Sequence, residues 1–335
     1  MCAIKHLLPR VSRYFKANLH THSIISDGKL TPEQVKEAYK ALGYQILSLT
    51  DHNVIVDHLD MNEPDFLMLT GVEININAPA GIPTAGKTYH FNLIAREPDN
   101  LWSPAKAFHR FPNALEYEEK MHCEEMELRY DVEAVNAMIA KANEKGFLVT
   151  YNHPTWSCQS YPDYAGLKGL WAMELRNSEC LQIGCNDNNP RVYKDLLNLG
   201  NRLYPLGADD LHSPRSLGLS WIMVGAQTLD YGSVIRALEQ GDFYMSCGPE
   251  IFGITMQENT LKITCSQARE IVLESNGRFA RRAEAAEGDF LREAEFDLSV
   301  FKEKTRDYPE AFVYLTVKAA DGTYAATRAY YVTEL

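Results

Sequence analysis

No apolar run in this 335-residue chain approaches the roughly 20 residues that would cross a bilayer, and the N-terminus lacks the apolar core of a secretory signal. Both absences predict a cytoplasmic protein with no membrane partner. Low-complexity tracts are missing too, so an ordinary folded chain is expected. The seven cysteines (Cys2, Cys123, Cys158, Cys180, Cys185, Cys247 and Cys265) are odd in number and scattered, which argues against a disulfide framework and fits reduced thiols. Cys180 and Cys185 are the nearest pair, with no second pair to complete a zinc-ribbon spacing, and read as buried small side chains. No serine or cysteine carries a nucleophile motif such as Gly-x-Ser-x-Gly. Positive charge is in short supply: 33 Lys and Arg against 45 Asp and Glu give a formal net charge of −12. A long duplex would meet repulsion, so a nucleic-acid polymer is not expected as a partner. A small phosphorylated ligand remains open, because bound cations would dominate the local field.

What the chain does have is histidine in short clusters beside strand-like runs. Asn18-Leu19-His20-Thr21-His22, Thr50-Asp51-His52, Tyr89-His90-Phe91, Asn152-His153-Pro154 and Asp210-Leu211-His212 hold six of the ten histidines. Glu73, in Gly71-Val72-Glu73, lies between the second and third. Imidazole and carboxylate are ligands of borderline and hard divalent metals. Residues i and i+2 of a strand face the same way, so His20 with His22, and Asp210 with His212, can aim into one pocket. A single histidine reads most simply as a hydrogen-bonded core residue. Six at strand ends, accompanied by Asp27, Glu73 and Asp210, point to a multi-metal centre.

Strand-like runs alternate with capped helices over the first two-thirds. Residues 15–19, 46–49, 66–72, 88–95, 147–151, 170–175, 203–206 and 221–224 read as strands. Thr31-Pro32-Glu33-Gln34 opens a helix with a Thr cap, a first-position proline and a Gln to complete the box. Val35, Ala38, Tyr39 and Leu42 keep helical spacing, and Gly43 stops it. Similar punctuation predicts helices from about Val132 to Gly146, from Asn189-Pro190 to Gly200, and from near Asp230 to Gly241. About seven or eight such units suit a (β/α) barrel, with an open doubly wound sheet as the rival. In a barrel the clusters would converge on one face. Residues 97–130, charged and aromatic, read as an insertion, either covering the site or making a surface excursion. His109 and His122 lie there without strand context and are not expected as ligands. Beyond Gly241, residues 262–264, 270–274 and 312–317 read as strands, with Asn276-Gly277 and Asp321-Gly322 as hairpin turns. The expectation is a barrel over residues 1–245 and a small antiparallel β domain, sandwich-like, over 246–335.

In order, these motifs resemble those of the polymerase and histidinol phosphatase (PHP) family of metal-dependent phosphoesterases. Asn18-Leu19-His20-Thr21-His22 with Ser26-Asp27-Gly28 is similar to its first motif, Leu49-Thr50-Asp51-His52-Asn53 to its second, and Gly71-Val72-Glu73 to its third. Asn152-His153-Pro154 and Gly207-Ala208-Asp209-Asp210-Leu211-His212 are similar to the later ones, and the resemblance spans about residues 15–250. It implies an α/β fold, a distorted (β/α)7 barrel, holding two to three divalent ions (Mn, Fe or Zn). His20, His22, Glu73 and Asp210 would hold one ion. Glu73 would bridge to a second, bound also by His90 and His153, and Asp27, His52 and His212 would hold the third. Asp27 stands where the family often has histidine, and is a harder ligand. Asp209, next to the Asp-x-His pair, would support from behind.

The implied reaction is hydrolysis of a small phosphorylated substrate, a nucleotide or sugar phosphate, by a metal-bridging hydroxide. Glu73, Asp210 and His212 would be catalytic. Arg176 and Arg215, near the expected mouth, are the phosphate-binding candidates, with Lys29 and Ser246-Cys247-Gly248 weaker ones. Glu174 and Asn177 share that mouth but match no ligand position. Two other functions fit the same residues: an amidohydrolase-type C–N hydrolase, or a non-enzymatic metal-holding module whose β domain binds a partner. The oligomeric state is left open.

Overall fold

The computed structural model describes residues 3–81 and 86–335. Seven neighbouring strands of the largest sheet surround the histidine clusters. Their spatial order is Tyr204–Ala208, Ala172–Asn177, Phe147–Tyr151, Thr88–Ala95, Leu67–Asn77, Ile46–Leu49 and Phe15–Asn18. The two ends of this run meet just beyond the strands. Thr21 forms a parallel bridge with Leu211, and two backbone bonds of 2.9 Å, His22 N–H to Leu211 and Asp210 N–H to His20, tie the same segments. The seven strands therefore enclose one interior at the end where the motifs lie.

Local sequence explains the parts. Ile46–Leu49 and Phe147–Tyr151 are buried throughout, as strands covered on both faces must be. Helix Pro32–Ala41 is held by its capping box, Gln34 N–H donating to the Thr31 hydroxyl and Thr31 N–H to the Gln34 amide oxygen. It buries Val35 and Tyr39, and Gly43 leaves it at φ 77°, a conformation that costs glycine little. Asp131 and Asp230 cap Val132–Glu144 and Tyr231–Gln240 more simply, accepting from the N–H groups of Ala134 and Ser233.

Regular βα alternation is not kept, which corrects the expectation of seven or eight repeating units. Thr88–Ala95 runs antiparallel to both of its neighbours. Among the described residues no α-helix separates Ile46–Leu49 from Leu67–Asn77, or Leu67–Asn77 from Thr88–Ala95. An antiparallel partner needs only a short connection, whereas a parallel one needs a crossover of a dozen residues or more. The reversal matters for the site. His90 sits near the start of its strand, and an antiparallel strand presents its start where parallel neighbours present their ends.

Beyond Phe15–Asn18 the same sheet continues antiparallel through Trp221–Val224, Phe243–Ser246, Tyr324–Ala326, Phe312–Lys318, Glu270–Ser275 and Ala280–Glu284. A second, smaller antiparallel sheet contains Lys5–His6, Ile251–Gln257, Thr260–Ala268 and Leu291–Asp297. Ile254 and Ile263 from it share a buried cluster with Leu273 and Leu315 of the larger sheet. Leu7 and Leu8 join that cluster, so residues near the N-terminus pack with the C-terminal strands. The Asn276-Gly277 and Asp321-Gly322 hairpins form as read. Residues 97–130 carry the paired short strands Trp102–Ser103 and His122–Cys123 and the single turn Pro112–Leu115. No helix of the described residues is long and apolar enough to cross a membrane.

Candidate metal centre

The strand ends place the donors. Between His20 and His22, Thr21 turns the other way and its hydroxyl donates to the Ser48 carbonyl at 2.7 Å, so both imidazoles face the interior. His153 and Asp210 lie just past their strands at positive φ, 26° and 52°. That backbone costs a non-glycine residue about 1–3 kcal/mol and tends to be kept where function needs it.

Glu73 is the hub. One of its oxygens lies 3.2 Å from His20 Nε2, 3.0 Å from His90 Nδ1 and 3.2 Å from His153 Nε2. The other lies 3.4 Å from His22 Nε2 and 3.1 Å from His52 Nδ1. Asp210 Oδ1 stands 3.1 Å from both His20 Nε2 and His22 Nε2. Asp27 closes the outer side, 3.5 Å from His52 Nε2 and 3.4 Å from His212 Nε2. All nine ligands inferred from the sequence thus fall into overlapping groups of donors spaced for metal binding: His22, Asp27, His52 and His212; His20, His22 and Glu73; His20, His153 and Asp210; His52, Glu73 and His90. The grouping differs from the division implied by the resemblance, with His22 also beside Asp27 and His153 beside Asp210. His109 and His122 join none of these groups.

The donor set fits divalent cations by its own chemistry. A carboxylate can only accept, so His20 Nδ1, 2.5 Å from Glu174 Oε1, carries the proton and donates it. The His20 Nε2 lone pair then points at Glu73, Asp210 and His22 Nε2, the last 3.2 Å away. Converging lone pairs and carboxylates repel unless a positive charge lies among them. Asp210 Oδ1 and His52 Nδ1 are buried and, although each lies 3.1 Å from an imidazole or carboxylate atom, neither makes an aligned hydrogen bond, a costly state that a cation would relieve.

The same clustering of charges sets the proton affinities of the ligands. Burial opposes charge on His20 and His22. The carboxylates override it, lifting His20 well above its ordinary pKa and His22 up to about 10. His153 is raised to about 9 against burial by Glu73, Asp210 and Glu174. Burial works against Glu73 and Asp210 as well, but the surrounding histidines hold both well below the usual carboxylate range. Burial prevails at His52, pushed down to about 3.

A further layer of polar groups holds the ligands; the sequence suggested Asp209 for it and placed Glu174 and Asn177 at the mouth without a role, but gave no sign of Asn152 or Asp51. Glu174 orients His20 through one oxygen and with the other accepts from the His153 N–H at 3.0 Å and from Asn177 Nδ2 at 2.9 Å. Asn177 Nδ2 also reaches Asp210 Oδ2 at 3.0 Å, and Asn152 Nδ2 donates to Glu73 Oε1 at 2.9 Å. Such partners fix ring orientation and ligand basicity. Asp51 gathers Ser23 N–H and Ser26 N–H, fixing the turn that carries Asp27. Asp209 is buried and accepts from the N–H groups of Gly218, Leu219 and Ser220, which sets the loop after His212.

The centre floors a cleft of about 790 Å³, lined also by Asn75, Lys87, Arg110, Trp156, Glu179 and Arg215. The two arginines inferred from sequence part company here. Arg215 lines the cleft, ion-paired with Glu179. Arg176 does not line it, and its Nε donates to Ser220 Oγ at 3.0 Å. The cause is a register shift: Glu174 pairs with Leu206 and Arg176 with Gly207, leaving Leu175 as an extra residue. A bulge of this kind breaks the i, i+2 alternation and turns Arg176 away from Glu174's side. Lys29, Ser246, Cys247 and Gly248 do not line the cleft either.

No protein-family model matches the chain, and no curated protein matches it. Several solved structures are similar. A two-domain protein from Bacteroides vulgatus, described as containing a PHP-like metal-dependent phosphoesterase, superposes at a TM-score of 0.45 and 16% identity, over 98% of this chain and 97% of that one. A structure from Bifidobacterium adolescentis, described as a metal-dependent phosphoesterase, gives 0.38 and 14% over 59% of this chain and 87% of its own. A lesion-specific endonuclease from Pyrococcus furiosus gives 0.42 and 15%, over 68% and 56%. Likenesses this loose leave the chemistry to the side chains of the cleft.

Proposed function

We propose that the chain is a metal-dependent phosphoesterase that hydrolyses a small phosphorylated substrate in this cleft. The observation that carries the reading is the convergence of nine histidine and carboxylate ligands around Glu73, seven of which line one cleft while His20 and His22 lie buried beneath it. Divalent ions, of the Mn, Fe or Zn kind, would supply Lewis-acid activation of water and neutralise phosphoryl oxygens. His20, His22, Glu73, His90, His153 and Asp210 would hold the inner ions, and Asp27, His52 and His212 the outer.

The chain's own groups do the rest. Glu174 keeps the His20 proton on Nδ1, so that Nε2 stays a donor atom. Asn152 and Asn177 fix the carboxylates of Glu73 and Asp210. His212 Nδ1 lies 2.9 Å from the Asp210 carbonyl, which sets its Nε2 toward Asp27. Arg215 stands beside the centre as a phosphate-side cation, held by Glu179 until an anion competes. Neighbouring charges of both signs inside a half-enclosed cleft interact more strongly than they would in water.

The test joins elemental analysis to a screen for released phosphate over phosphomonoesters and bisphosphates. Purified protein should carry stoichiometric divalent metal, lose phosphate release on chelation and regain it with Mn, Fe or Zn. A chelator-stripped sample as active as the untreated one would sink the reading. Ammonia released from amide or amidine substrates, with no phosphate from any ester, would move the same centre to C–N bond hydrolysis.

A further inference from the structure

The cleft is far larger than a phosphoryl group requires; about 790 Å³ is the size that encloses a whole small-molecule ligand. Its lining sets four carboxylates, Asp27, Glu73, Glu179 and Asp210, among histidines, and two of its three Lys and Arg side chains are already engaged. Lys87 pairs with Asp163 at 2.6 Å, and Arg215 pairs with Glu179. Arg110 is different. Among the described residues it has no carboxylate within ion-pair distance, although the chain carries a net negative charge.

Arg110 is exposed, but two aromatic rings flank its guanidinium. Its guanidinium lies 4.9 Å from the ring centre of Phe108 and 4.7 Å from that of Phe111. Phe111 in turn stacks on His52, 6.1 Å between centres and 11° between planes. Those two steps bound the distance from the guanidinium to an imidazole of the metal centre. Asn113 Nδ2, on the same stretch, donates to the Ile24 carbonyl at 2.7 Å, tying the insertion to the turn that bears Asp27. An unpaired guanidinium held against aromatic faces keeps its donor fork free and loses little freedom when it binds.

We propose that Arg110 is a second anion-binding point of the cleft, so that the substrate carries another anionic group, carboxylate or phosphate, on the part remote from the ester being cleaved. This rests on the reading of the cleft as a phosphoester site. Residues 97–130 then act in substrate selection: they place a cation at a set distance from the metals. A phosphoester lacking the remote anion leaves Arg110 unused and binds less tightly.

The experiment uses the metal-loaded full chain and non-hydrolysable probes. Calorimetric binding is measured for ω-carboxyalkylphosphonates with chains of two to six methylenes, each against the alkylphosphonate of equal length. The wild-type protein should bind the carboxylated probe at least tenfold tighter at the best length. Arg110→Ala should bring that ratio close to one while leaving alkylphosphonate affinity within twofold. Arg110→Lys, which keeps the charge but not the planar fork, should retain part of the preference. No preference at any length, or a preference that survives in Arg110→Ala, overturns the proposal. The outcome is separable from the functional reading. An Arg110-dependent preference with no ester hydrolysed in the phosphate screen would leave the subsite standing and remove the phosphoesterase.

Discussion

Glu174→Gln is the most informative single change, because it alters no metal ligand and almost no volume. In the native chain both oxygens are engaged: Oε1 accepts from His20 Nδ1, and Oε2 accepts from the His153 N–H and Asn177 Nδ2. Glutamine offers one oxygen and an amide NH2. If the oxygen faces His20, the NH2 group meets two donors; if it faces His153, the NH2 group meets the His20 N–H. Either way a charge-assisted hydrogen bond worth about 1.5–3 kcal/mol is lost. Removing the partner that orients a metal-bound histidine costs roughly 10- to 100-fold in affinity, which is about 1.4–2.8 kcal/mol, so the two figures agree. The assay is competition for Mn or Zn against a chelator of known affinity, at a temperature where circular dichroism shows the variant folded. Glu174→Asp, which keeps the charge on a shorter arm, should recover part of the loss. A folded Glu174→Gln protein with native affinity would refute the claim that Glu174 positions His20.

Four further outcomes follow from the same contacts. Glu73→Ala removes the carboxylate shared by five imidazoles and should abolish bound metal by elemental analysis; a variant retaining full metal content would show Glu73 to be peripheral. Metal affinity should rise with pH, because His22 and His153, raised to about 10 and about 9, hold protons at neutral pH that a cation must displace. Binding heats measured in two buffers of different ionisation enthalpy should therefore differ, and equal heats would contradict the proton release. Thr31→Ala deletes the cap of helix Pro32–Ala41 and should cost about 0.5–2 kcal/mol in denaturant unfolding. Ile263→Ala, at a fully buried position of the smaller sheet, should cost about 2–5 kcal/mol with metal affinity unchanged, whereas a loss of metal would couple that sheet to the centre.

Many elements of the first two-thirds were legible because their signals are local. Thr31 to Gln34 can be read as a capping box from four letters, and the structure forms both of its hydrogen bonds. The C-terminal sheets were only half legible. Ala280–Glu284 and Leu291–Asp297 are charged and largely exposed, which weakens their strand signal, and Leu291–Asp297 pairs with Thr260–Ala268 rather than with the strand before it. The direction of Thr88–Ala95 was not legible at all. Strand propensity says nothing about polarity within a sheet, yet polarity is what brings His90, at the start of its strand, to the mouth where His20 and His153 follow strand ends.

The same division runs through the centre itself. The nine ligands showed in the sequence because metal chemistry restricts them to histidine and carboxylate, and because the His-x-His and Asp-x-His spacings read as one face of a strand, although both pairs lie just past the strand ends. Their supports obey no such restriction. Glu174 could be placed at the mouth but not given a role, since only three-dimensional proximity sets its carboxylate against His20, His153 and Asn177. Arg176 shows the opposite error. Strict alternation would put it on Glu174's side and into the cleft, but the extra residue at Leu175 inverts the face, sending Asn177 to Asp210 and Arg176 to Ser220. If that inversion is what excludes Arg176 from the cleft, Arg176→Ala should leave alkylphosphonate affinity of the metal-loaded chain unchanged, while Arg215→Ala weakens it. Equal losses in the two variants would mean that both side chains reach the phosphoryl group and that the bulge does not govern access.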